Sequence, residues 1–267
     1  MCRMVIYKGP RIPLSRLVMD PPHSLVKQGS EAKEMLAGPL NADGFGVSWY
    51  ETELGRTPAL YRNTNPIWTD PNVSTLFPRI ASHLFFAHVR AASDGMPVSI
   101  TNTHPFVVKQ FMFMHNGFID GFREKLFSEV VPHIHPDLWP SIKGNTDAEH
   151  FFGLWLTHLA NPSPSLDEQR YALQQSFRLI DSLAKKHHVE AILNVAISDG
   201  DRLLVSRRHL GSRKATLYIC QGEPEFPDGL IIASEKLFDS PAWKIVPENS
   251  TVAVDKESNV VTIEQIE

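Results

Sequence analysis

Short apolar runs bounded by glycine, proline or asparagine recur through the first half of the chain. Runs of this length, flanked by residues that favour turns, are typical of β-strands. The runs with this pattern, which we predict to be strands, are Cys2–Tyr7, Gly46–Tyr50, Leu84–Val89 and Phe111–Met114.

Two longer segments follow in which apolar residues recur at helical spacing, Asp147–Leu159 and Leu166–His187. Each is preceded by a hydroxyl residue, Thr146 or Ser165, that is followed three residues later by glutamate. This arrangement is the capping-box signature of a helix N-terminus. We therefore predict two amphipathic helices in the middle of the chain.

Beyond the second helix the pattern becomes strand-like again. The proline-rich stretches Pro132–Pro140 and Gly222–Pro227 are typical of surface loops. Strands on both sides of a central helical pair indicate an α+β fold of layered sheets and helices, and we expect one domain over residues 1–267. The predicted strands are Glu190–Ile197, Arg202–Arg207, Thr216–Cys220, Gly229–Ala233, Thr251–Val254 and Val260–Ile263, with hairpin turns at Ser198–Asp201 and Asp255–Asn259.

Composition and charge narrow the class of protein. The 267 residues are 42% hydrophobic and 21% charged, which is enough apolar material for a core. The net charge of −4 argues against a nucleic-acid partner or an anionic membrane surface. No apolar run approaches the roughly 18 residues of a membrane span, and Met4–Tyr7 is too short for a signal peptide. We expect a cytoplasmic protein with neither nucleic acid nor a membrane as partner.

The two cysteines differ in what their positions allow. Cys220 lies in a strand-like run and is interpreted as a buried apolar side chain. Cys2 follows Met1, and an initiator methionine before so small a residue is normally removed. Removal would leave Cys2 with a free α-amine beside its thiol, so that one residue supplies both a nucleophile and a base.

Polar residues follow two of the predicted strands. Arg90 comes just after Leu84–Val89, where it is either a solvated or ion-paired surface residue or a planar fork for a substrate carboxylate. Asn116 and Gly117 follow Phe111–Met114 and either form a turn or supply two neutral donors for an oxyanion. The residues by themselves leave both alternatives open.

Acidic and histidine side chains leave further alternatives. Asp147 opens the first helix, where it either interacts with the helix dipole or binds a substrate ammonium group. His133 and His135 form a tight pair among prolines without a nearby cysteine, which makes zinc binding the weaker interpretation. We therefore expect no metal and no cofactor.

Taken in chain order, these motifs resemble those of a class II glutamine amidotransferase domain of the N-terminal-nucleophile hydrolase superfamily. The resemblance extends over the whole chain, and its specificity comes from the order and spacing of short motifs. These motifs are Met1-Cys2, Asn41–Gly46, His88-x-Arg90, Asn102–Phe106, His115–Gly117, Thr146–Glu149 and Ala233–Glu235.

The resemblance implies a role for each matching residue. The nucleophile would be Cys2, with its α-amine as base, and the oxyanion hole would be formed by Asn116 and Gly117. Arg90 would bind the α-carboxylate of a γ-glutamyl group, and Asp147 would bind the α-ammonium of the same group. Ser93 would help Arg90 to bind the substrate α-carboxylate. The residues that would shape the site around these groups are Asp43, Gly44, Asn102 and His104.

The resemblance also implies a fold and a reaction. The fold would be a four-layer αββα sandwich. The Cys2 thiol would attack the carbonyl of a γ-glutamyl amide, the amine would leave, and water would hydrolyse the thioester without a metal. The expected partner is a small γ-glutamyl substrate, and a partner subunit or a homo-oligomer remains an open alternative.

Two enzyme activities fit this chemistry. Met1–Arg3, Leu17–Pro22, Asn41–Gly44 and Gly95–Pro97 resemble a short branch of the family that acts on γ-glutamyl compounds in ergothioneine synthesis and glutathione breakdown. Ala91 stands where many synthase-linked domains carry an aromatic residue, which would leave room for a leaving group larger than ammonia. We therefore favour hydrolysis of a γ-glutamyl peptide or thiol over a glutaminase subunit that delivers ammonia to a separate synthetase. A γ-glutamyl-binding protein without turnover is the third alternative.

Overall fold

Antiparallel strands dominate the computed structural model, which describes residues 2–36, 38, 40–51, 53–93, 95–256 and 260–266. Met1, whose removal was predicted, lies outside these residues, as does part of the hairpin turn predicted at Asp255–Asn259. The strands are β1 (Arg3–Pro13), β2 (Phe45–Trp49), β3 (Ala59–Asn63), β4 (Ala81–Val89), β5 (Phe106–Val108), β6 (Phe111–Ile119), β7 (Ala191–Ser198), β8 (Leu203–Arg207), β9 (His209–Leu210), β10 (Tyr218–Gln221), β11 (Leu230–Ala233), β12 (Trp243–Ile245), β13 (Ser250–Val254) and β14 (Val261–Gln265).

Short helices precede the two long ones that the sequence predicts. A π-helical turn, Phe122–Leu126, follows β6 and leads into a short α-helix. Of the described residues, no helix is long and apolar enough to cross a membrane. The α-helices are α1 (Ser15–Val18), α2 (Leu25–Glu31), α3 (Pro71–Leu76), α4 (Phe127–Val130), α5 (Asp147–Thr157) and α6 (Leu166–His187).

The strands form two antiparallel sheets. The first has the order β12-β10-β11-β1-β4-β2-β3, and the second has the order β14-β13-β8-β7-β6-β5, with β9 beside β7. In the first sheet, Val5 of β1 lies opposite Ala87 of β4 on one side and Ala233 of β11 on the other. Strands from the beginning and the end of the chain therefore meet at the centre of one sheet.

Alternation of side chains along β1 shows how the layers stack. Met4 and Ile6 point into an apolar core between the two sheets, whereas Val5 and Tyr7 point to the outer face of the first sheet. Helices α1, α2 and α3 cover that outer face. The outer face of the second sheet packs on α5 and α6 through residues that include Phe113, Leu193, Phe151, Phe177 and Ile180. The predicted four-layer αββα sandwich is confirmed.

The end of β6 differs from the prediction. Asn116 and Gly117 lie within the strand and not in a turn, because β6 continues to Ile119 and pairs with β7 from Met112 to Ile119. Asn116 lies opposite Asn194 in this pairing. The strand was predicted too short because its polar residues interrupt the apolar run that marks its beginning.

Two local predictions also need correction. Thr146 accepts the Glu149 N–H at 3.2 Å, but the Glu149 carboxylate accepts the N–H groups of Lys143 and Gly144, so the predicted capping box of α5 is only half formed. The stretch Pro132–Pro140 was predicted as a loop, yet it contains short 3-10 helices. By contrast, α6 has its predicted bounds and a complete capping box.

Candidate active site

A cavity of about 130 Å³ lies where β1 begins and β4 ends. This volume is well below the roughly 300–1,000 Å³ of pockets for drug-sized ligands, so the cavity suits a group the size of an amino acid. Most of the residues predicted for the site meet there. Those that line the cavity are Cys2, Arg90, Ser93, His104, Gly117 and Asp147.

The Cys2 thiol lies inside the protein and not on its surface. The side chain is 7% exposed. Its Sγ accepts the Ala91 N–H at 3.4 Å and lies 3.6 Å from the Ala91 carbonyl oxygen. By strand alternation the Cys2 side chain points to the same side of the sheet as Met4, towards the second sheet. The thiol therefore meets the backbone of the residue that follows Arg90.

Arg90 is buried, and the alternative of a solvated or ion-paired surface residue is wrong. Its guanidinium donates two hydrogen bonds of 3.3 Å to the Pro97 carbonyl and one of 3.5 Å to the Asp43 carbonyl. In the described part of the chain no carboxylate lies within 4.0 Å of it. Burial lowers the pKa of Arg90, while the charges of Cys2, Asp43 and Asp147 act in the opposite direction. The cavity thus contains a buried cation that is held by carbonyl groups.

Asp147 joins the end of β6 to the beginning of α5. One carboxylate oxygen accepts the Ile119 N–H at 2.7 Å, and the other accepts the Ala148 N–H at 2.8 Å. The interaction with the helix terminus is therefore real, but it accounts for only one of the two oxygens. Each oxygen retains a second lone pair that can accept a hydrogen bond from a ligand in the cavity.

The N–H of Gly117 faces the cavity. The direction of backbone N–H groups alternates along a strand. The Asp120 N–H donates to Glu190 on the β7 side of β6, and the Ile119 N–H donates to Asp147 on the opposite side. Gly117 precedes Ile119 by two residues, so its N–H also points away from β7, to the edge that β5 leaves unpaired beyond Phe113.

Glycine is required at position 117 by close packing. A Cβ atom there would lie 1.9 Å from the Ile192 carbonyl oxygen and 2.5 Å from Nε2 of His115. The His115 ring occupies the space that this Cβ would need, and its Nε2 lies 2.8 Å from the Ile192 carbonyl oxygen. A side chain at position 117 would therefore displace the His115 ring or separate β6 from β7.

Asn116 lies just behind the cavity lining, between His115 and Gly117, which both line it. It is fully buried on the face of β6 that points to the other sheet. Neither the oxygen nor the nitrogen of its side chain has a hydrogen-bond partner within the described residues. A buried amide without a partner is unfavourable, so its Nδ2 donors are available to an oxygen anion that enters the site.

Asp43 and Gly44 hold Arg90 and the loop after it. The Asp43 carboxylate accepts the Ala92 N–H at 2.8 Å, and the Gly44 carbonyl accepts the Arg90 N–H at 2.8 Å. Gly44 has a φ of +108°, and a Cβ at this position would lie 2.8 Å from the Asn63 carbonyl oxygen. Both residues therefore support the site through the backbone around Arg90.

Asn102 connects two segments of the site. Its Nδ2 donates to the Pro97 carbonyl at 3.2 Å and to Oδ1 of Asn145 at 2.8 Å. Its own Oδ1 accepts the Asn145 N–H at 3.0 Å. Asn102 thereby ties the carbonyl that binds Arg90 to the turn that precedes Asp147.

Three histidines surround the site, of which only His104 was predicted to support it. The rings of His88 and His104 lie 4.4 Å apart, and Nε2 of His88 lies 3.1 Å from the His115 carbonyl oxygen. Burial lowers the pKa of His88 to about 3 and that of His104 well below its usual value, so both rings are neutral. Among the described residues, no three His, Cys, Asp or Glu side chains are placed to hold a metal ion.

Comparison with known proteins decides the family. The sequence profile of the class-II glutamine amidotransferases matches residues 24–226. The probable glutamine amidotransferase DUG3 of Saccharomyces cerevisiae is 34% identical over an alignment 297 positions long, which covers 97% of this chain and 83% of that protein. The chain belongs to the class-II glutamine amidotransferases.

This amidotransferase has further relatives and structural neighbours. The gamma-glutamyl-hercynylcysteine sulfoxide hydrolase of Mycobacterium tuberculosis is 28% identical over 264 residues, which cover 98% of this chain and 96% of that protein. A glutamine aminotransferase class-II domain protein from Silicibacter pomeroyi has a TM-score of 0.73 at 23% identity, over 99% of both chains. The allosteric regulatory enzyme of purine biosynthesis has a TM-score of 0.65 at 14% identity, over 100% of this chain and 49% of that chain. These two structures share the fold of this amidotransferase.

Proposed function

We propose that this amidotransferase hydrolyses γ-glutamyl amide bonds, with Cys2 as nucleophile and a γ-glutamyl peptide or thiol compound as substrate. The observation that carries the proposal is the buried Arg90 guanidinium, which faces the same small cavity as the Cys2 thiol. A desolvated cation favours an anionic ligand. A γ-glutamyl group offers an α-carboxylate at one end and the scissile carbonyl at the other.

The two charges of the substrate α-carbon would be bound by residues of opposite charge. Arg90 would donate to the α-carboxylate, with the exposed hydroxyl of Ser93 as a further donor at the cavity rim. The free lone pairs of Asp147 would accept from the α-ammonium group. This pairing would fix the direction of the side chain and deliver its carbonyl to Cys2.

The reaction would proceed through a thioester. The α-amine of Cys2, freed by removal of Met1, would take the thiol proton, and the sulfur would attack the γ-carbonyl carbon. Gly117 N–H and Asn116 Nδ2 would donate to the oxyanion. Collapse of the tetrahedral intermediate would break its C–N bond, and the protonated α-amine of Cys2 would return the proton to the leaving amine. Water, deprotonated by the same amine, would then release glutamate and restore the thiol, and no cofactor is required.

Hydrolysis of larger γ-glutamyl compounds is favoured over ammonia release by the residue beside the sulfur. Ala91 lines the cavity, and its N–H is the group that lies 3.4 Å from Cys2 Sγ. A methyl side chain here leaves space next to the reacting bond. One relative is named as a hydrolase of a γ-glutamyl sulfoxide, which supports the same choice.

We also infer how the activity is organised in the cell. Strands from both ends of the chain share one sheet, which supports a single catalytic unit over residues 1–267. Both cysteines are free thiols, which is the usual state in the reducing cytoplasm, and we place the protein there.

A glutaminase subunit that serves a separate synthetase is the second candidate function, because a cavity of about 130 Å³ also suits glutamine itself.

A steady-state comparison of substrates tests the proposal. Glutamine, glutathione and the γ-glutamyl sulfoxide of a histidine-derived thiol are compared, with Cys2→Ala as the inactive control. We expect kcat/KM for one of the larger compounds to exceed that for glutamine at least about tenfold, or ~1.4 kcal/mol in transition-state binding. A preference for glutamine would favour the glutaminase subunit. No turnover of any compound would favour a binding protein.

A further inference from the structure

A buried ion pair lies directly behind the proposed nucleophile. Arg3, the residue after Cys2, is fully buried, and its Nη1 lies 3.0 Å from Oε1 of Glu235, which is 1% exposed. The Nε of the same guanidinium donates to the Cys2 carbonyl oxygen at 2.6 Å. Arg3 and Glu235 are 232 positions apart in the chain, so no local sequence pattern pairs them although each stands in one of the recognised motifs.

Glu235 is itself held firmly in place. Its carboxylate accepts the N–H groups of Lys33, at 3.0 and 3.1 Å, and of Glu34, at 2.8 Å. Nε2 of His23 donates to it at 2.6 Å. Burial acts to raise the pKa of Glu235, but these hydrogen bonds and the charge of Arg3 outweigh it, so the pKa lies below its usual value. The carboxylate is therefore charged, and it fixes the guanidinium from one side.

The contact with Cys2 acts on the part of the residue that carries the chemistry. The side chains of Cys2 and Arg3 point to opposite faces of the sheet, the thiol to the cavity and the guanidinium to the side of α2. In the described part of the chain, the pairing of β1 with β4 begins with Arg3 opposite Val89, so the strand ladder starts only after Cys2. The hydrogen bond from Arg3 Nε thus restrains the carbonyl group of Cys2. This group is bonded to the Cα that carries the α-amine and, through Cβ, the thiol.

We propose that Arg3 is a positioning residue, which anchors the Cys2 carbonyl while Glu235 anchors Arg3, so that the thiol and the α-amine keep the orientation needed for attack. The inference rests on the proposed function for the identity of the nucleophile. A buried ion pair is poor support for stability, because apolar residues of similar volume serve equally well. Because this ion pair lies against the backbone of Cys2, it can instead hold the nucleophile in position.

Two variants separate positioning from folding. Arg3→Lys keeps a cation that can pair with Glu235 but loses the planar fork that reaches both Glu235 and the Cys2 carbonyl. The double variant Arg3→Met with Glu235→Gln leaves no uncompensated charge, and the amide oxygen still accepts the N–H groups of Lys33 and Glu34. We expect kcat to fall about 100-fold in both, the effect of a misplacement of roughly 1 Å, with KM within about threefold.

Arg207 provides a matched control. It is also buried, at 6% exposure, and donates to the carbonyl groups of Ala215 at 2.9 Å and Val246 at 2.6 Å, away from the residues that line the active-site cavity. Arg207→Lys should lower Tm while kcat and KM of the folded protein stay at their wild-type values. A merely structural role for Arg3 would give the same result in Arg3→Lys.

Labelling of Cys2 makes the test independent of turnover. A diazoketone analogue of glutamine requires an oriented thiol, whereas iodoacetamide requires only an accessible one, and mass spectrometry measures each rate at Cys2. In Arg3→Lys we expect the diazoketone reaction to slow about 100-fold and the iodoacetamide reaction to stay within about twofold. Wild-type rates of turnover and labelling in both Arg3 variants would overturn the inference. Labelling of the wild type without hydrolysis of any γ-glutamyl compound would overturn the proposed function alone, and no labelling of the wild type would overturn both.

Discussion

Two cavities lie along β1, one at its beginning and one at its middle, and they differ in what their polar groups already bind. The larger, of about 760 Å³, begins at Lys8, and the smaller, of about 130 Å³, begins at Cys2. In the larger cavity Lys8 Nζ donates to the Asp201 carbonyl at 2.9 Å, and His83 Nε2 lies 3.3 Å from the Gly200 carbonyl oxygen. In the smaller one the Arg90 guanidinium, the Asp147 carboxylate and the Gly117 N–H can each make a further hydrogen bond to a ligand. Available charge and available donors therefore identify the site better than volume does.

The separation of the two cavities makes this comparison testable. The six steps of extended chain from Cys2 to Lys8 span about 20 Å. Substitutions more than about 10 Å apart, without shared partners, act independently. Variants in the smaller cavity should therefore change catalysis, and a variant in the larger one should not.

The largest effect is expected at Cys2. Cys2→Ala should abolish hydrolysis, and Cys2→Ser should be strongly impaired because a hydroxyl is a far weaker nucleophile with the same amine as base. Thermal unfolding should change little, since only one buried sulfur is lost. Activity and circular-dichroism melting of both variants test this. Near-normal turnover in either one would place the nucleophile elsewhere, with Cys220 as the next candidate.

The next largest effect is expected at Arg90. Arg90→Lys keeps the charge but loses the planar fork, so kcat/KM for γ-glutamyl compounds should fall about 10²–10³-fold, or ~3–4 kcal/mol. Tm should fall as well, as in Arg207→Lys, because a lysine cannot make all the hydrogen bonds of the guanidinium to the Pro97 and Asp43 carbonyls, so the kinetics are measured on folded protein well below Tm. A substrate analogue without the α-carboxylate should be cleaved poorly by the wild type and by the variant alike. Efficient cleavage of that analogue by the wild type would contradict the binding role.

A comparable loss, confined to kcat, is expected at Asn116. Asn116→Ala removes a donor that matters once charge develops on the carbonyl oxygen, so kcat should fall about 10²–10³-fold. KM should change much less. Steady-state kinetics on one γ-glutamyl substrate separates the two constants. A large rise in KM with unchanged kcat would show instead that Asn116 binds the substrate ground state.

Features with a local cause could be predicted from the sequence. The capping box of Ser165 and Glu168 and the spacing of Leu173, Phe177 and Ile180 define α6, and its observed bounds are the predicted ones. Most of the candidate site was found because its residues stand in short motifs. Helices α1 and α3 were missed because helices of four to six residues are too short to show a helical period.

Features that depend on distant parts of the chain could not be predicted. The extension of β6 through Asn116 requires pairing with Asn194 of β7. The burial of Arg90 requires the loops that carry Asp43 and Pro97 to cover the end of β4. Such contacts are set by tertiary packing, for which one sequence without its relatives has no local signal.

Asp147 should show a mixed effect, smaller in activity than that of Arg90. Its two oxygens accept backbone N–H groups of Ile119 and Ala148, whereas an amide can accept only one and turns its NH₂ towards the other. Asp147→Asn should therefore lose about 1–3 kcal/mol of stability and also raise KM for γ-glutamyl compounds. Urea unfolding and steady-state kinetics measure the two losses. A loss of stability with unchanged KM would leave Asp147 with a structural role only.

The smallest effect is expected in the larger cavity. Burial lowers the pKa of Lys8, with the charges of Asp201 and Asp199 acting in the opposite direction. A lysine whose folded-state pKa is lowered weakens folding at pH values where both states are protonated, so Lys8→Met should leave Tm at neutral pH unchanged or slightly higher. The value of kcat/KM should stay within about twofold of wild type, because Cys2 lies about 20 Å away. We compare kcat/KM of Lys8→Met directly with that of Arg90→Lys, measured under the same conditions. A fall of about tenfold or more in Lys8→Met would mean that the two cavities are coupled, and the larger cavity would then contribute to catalysis.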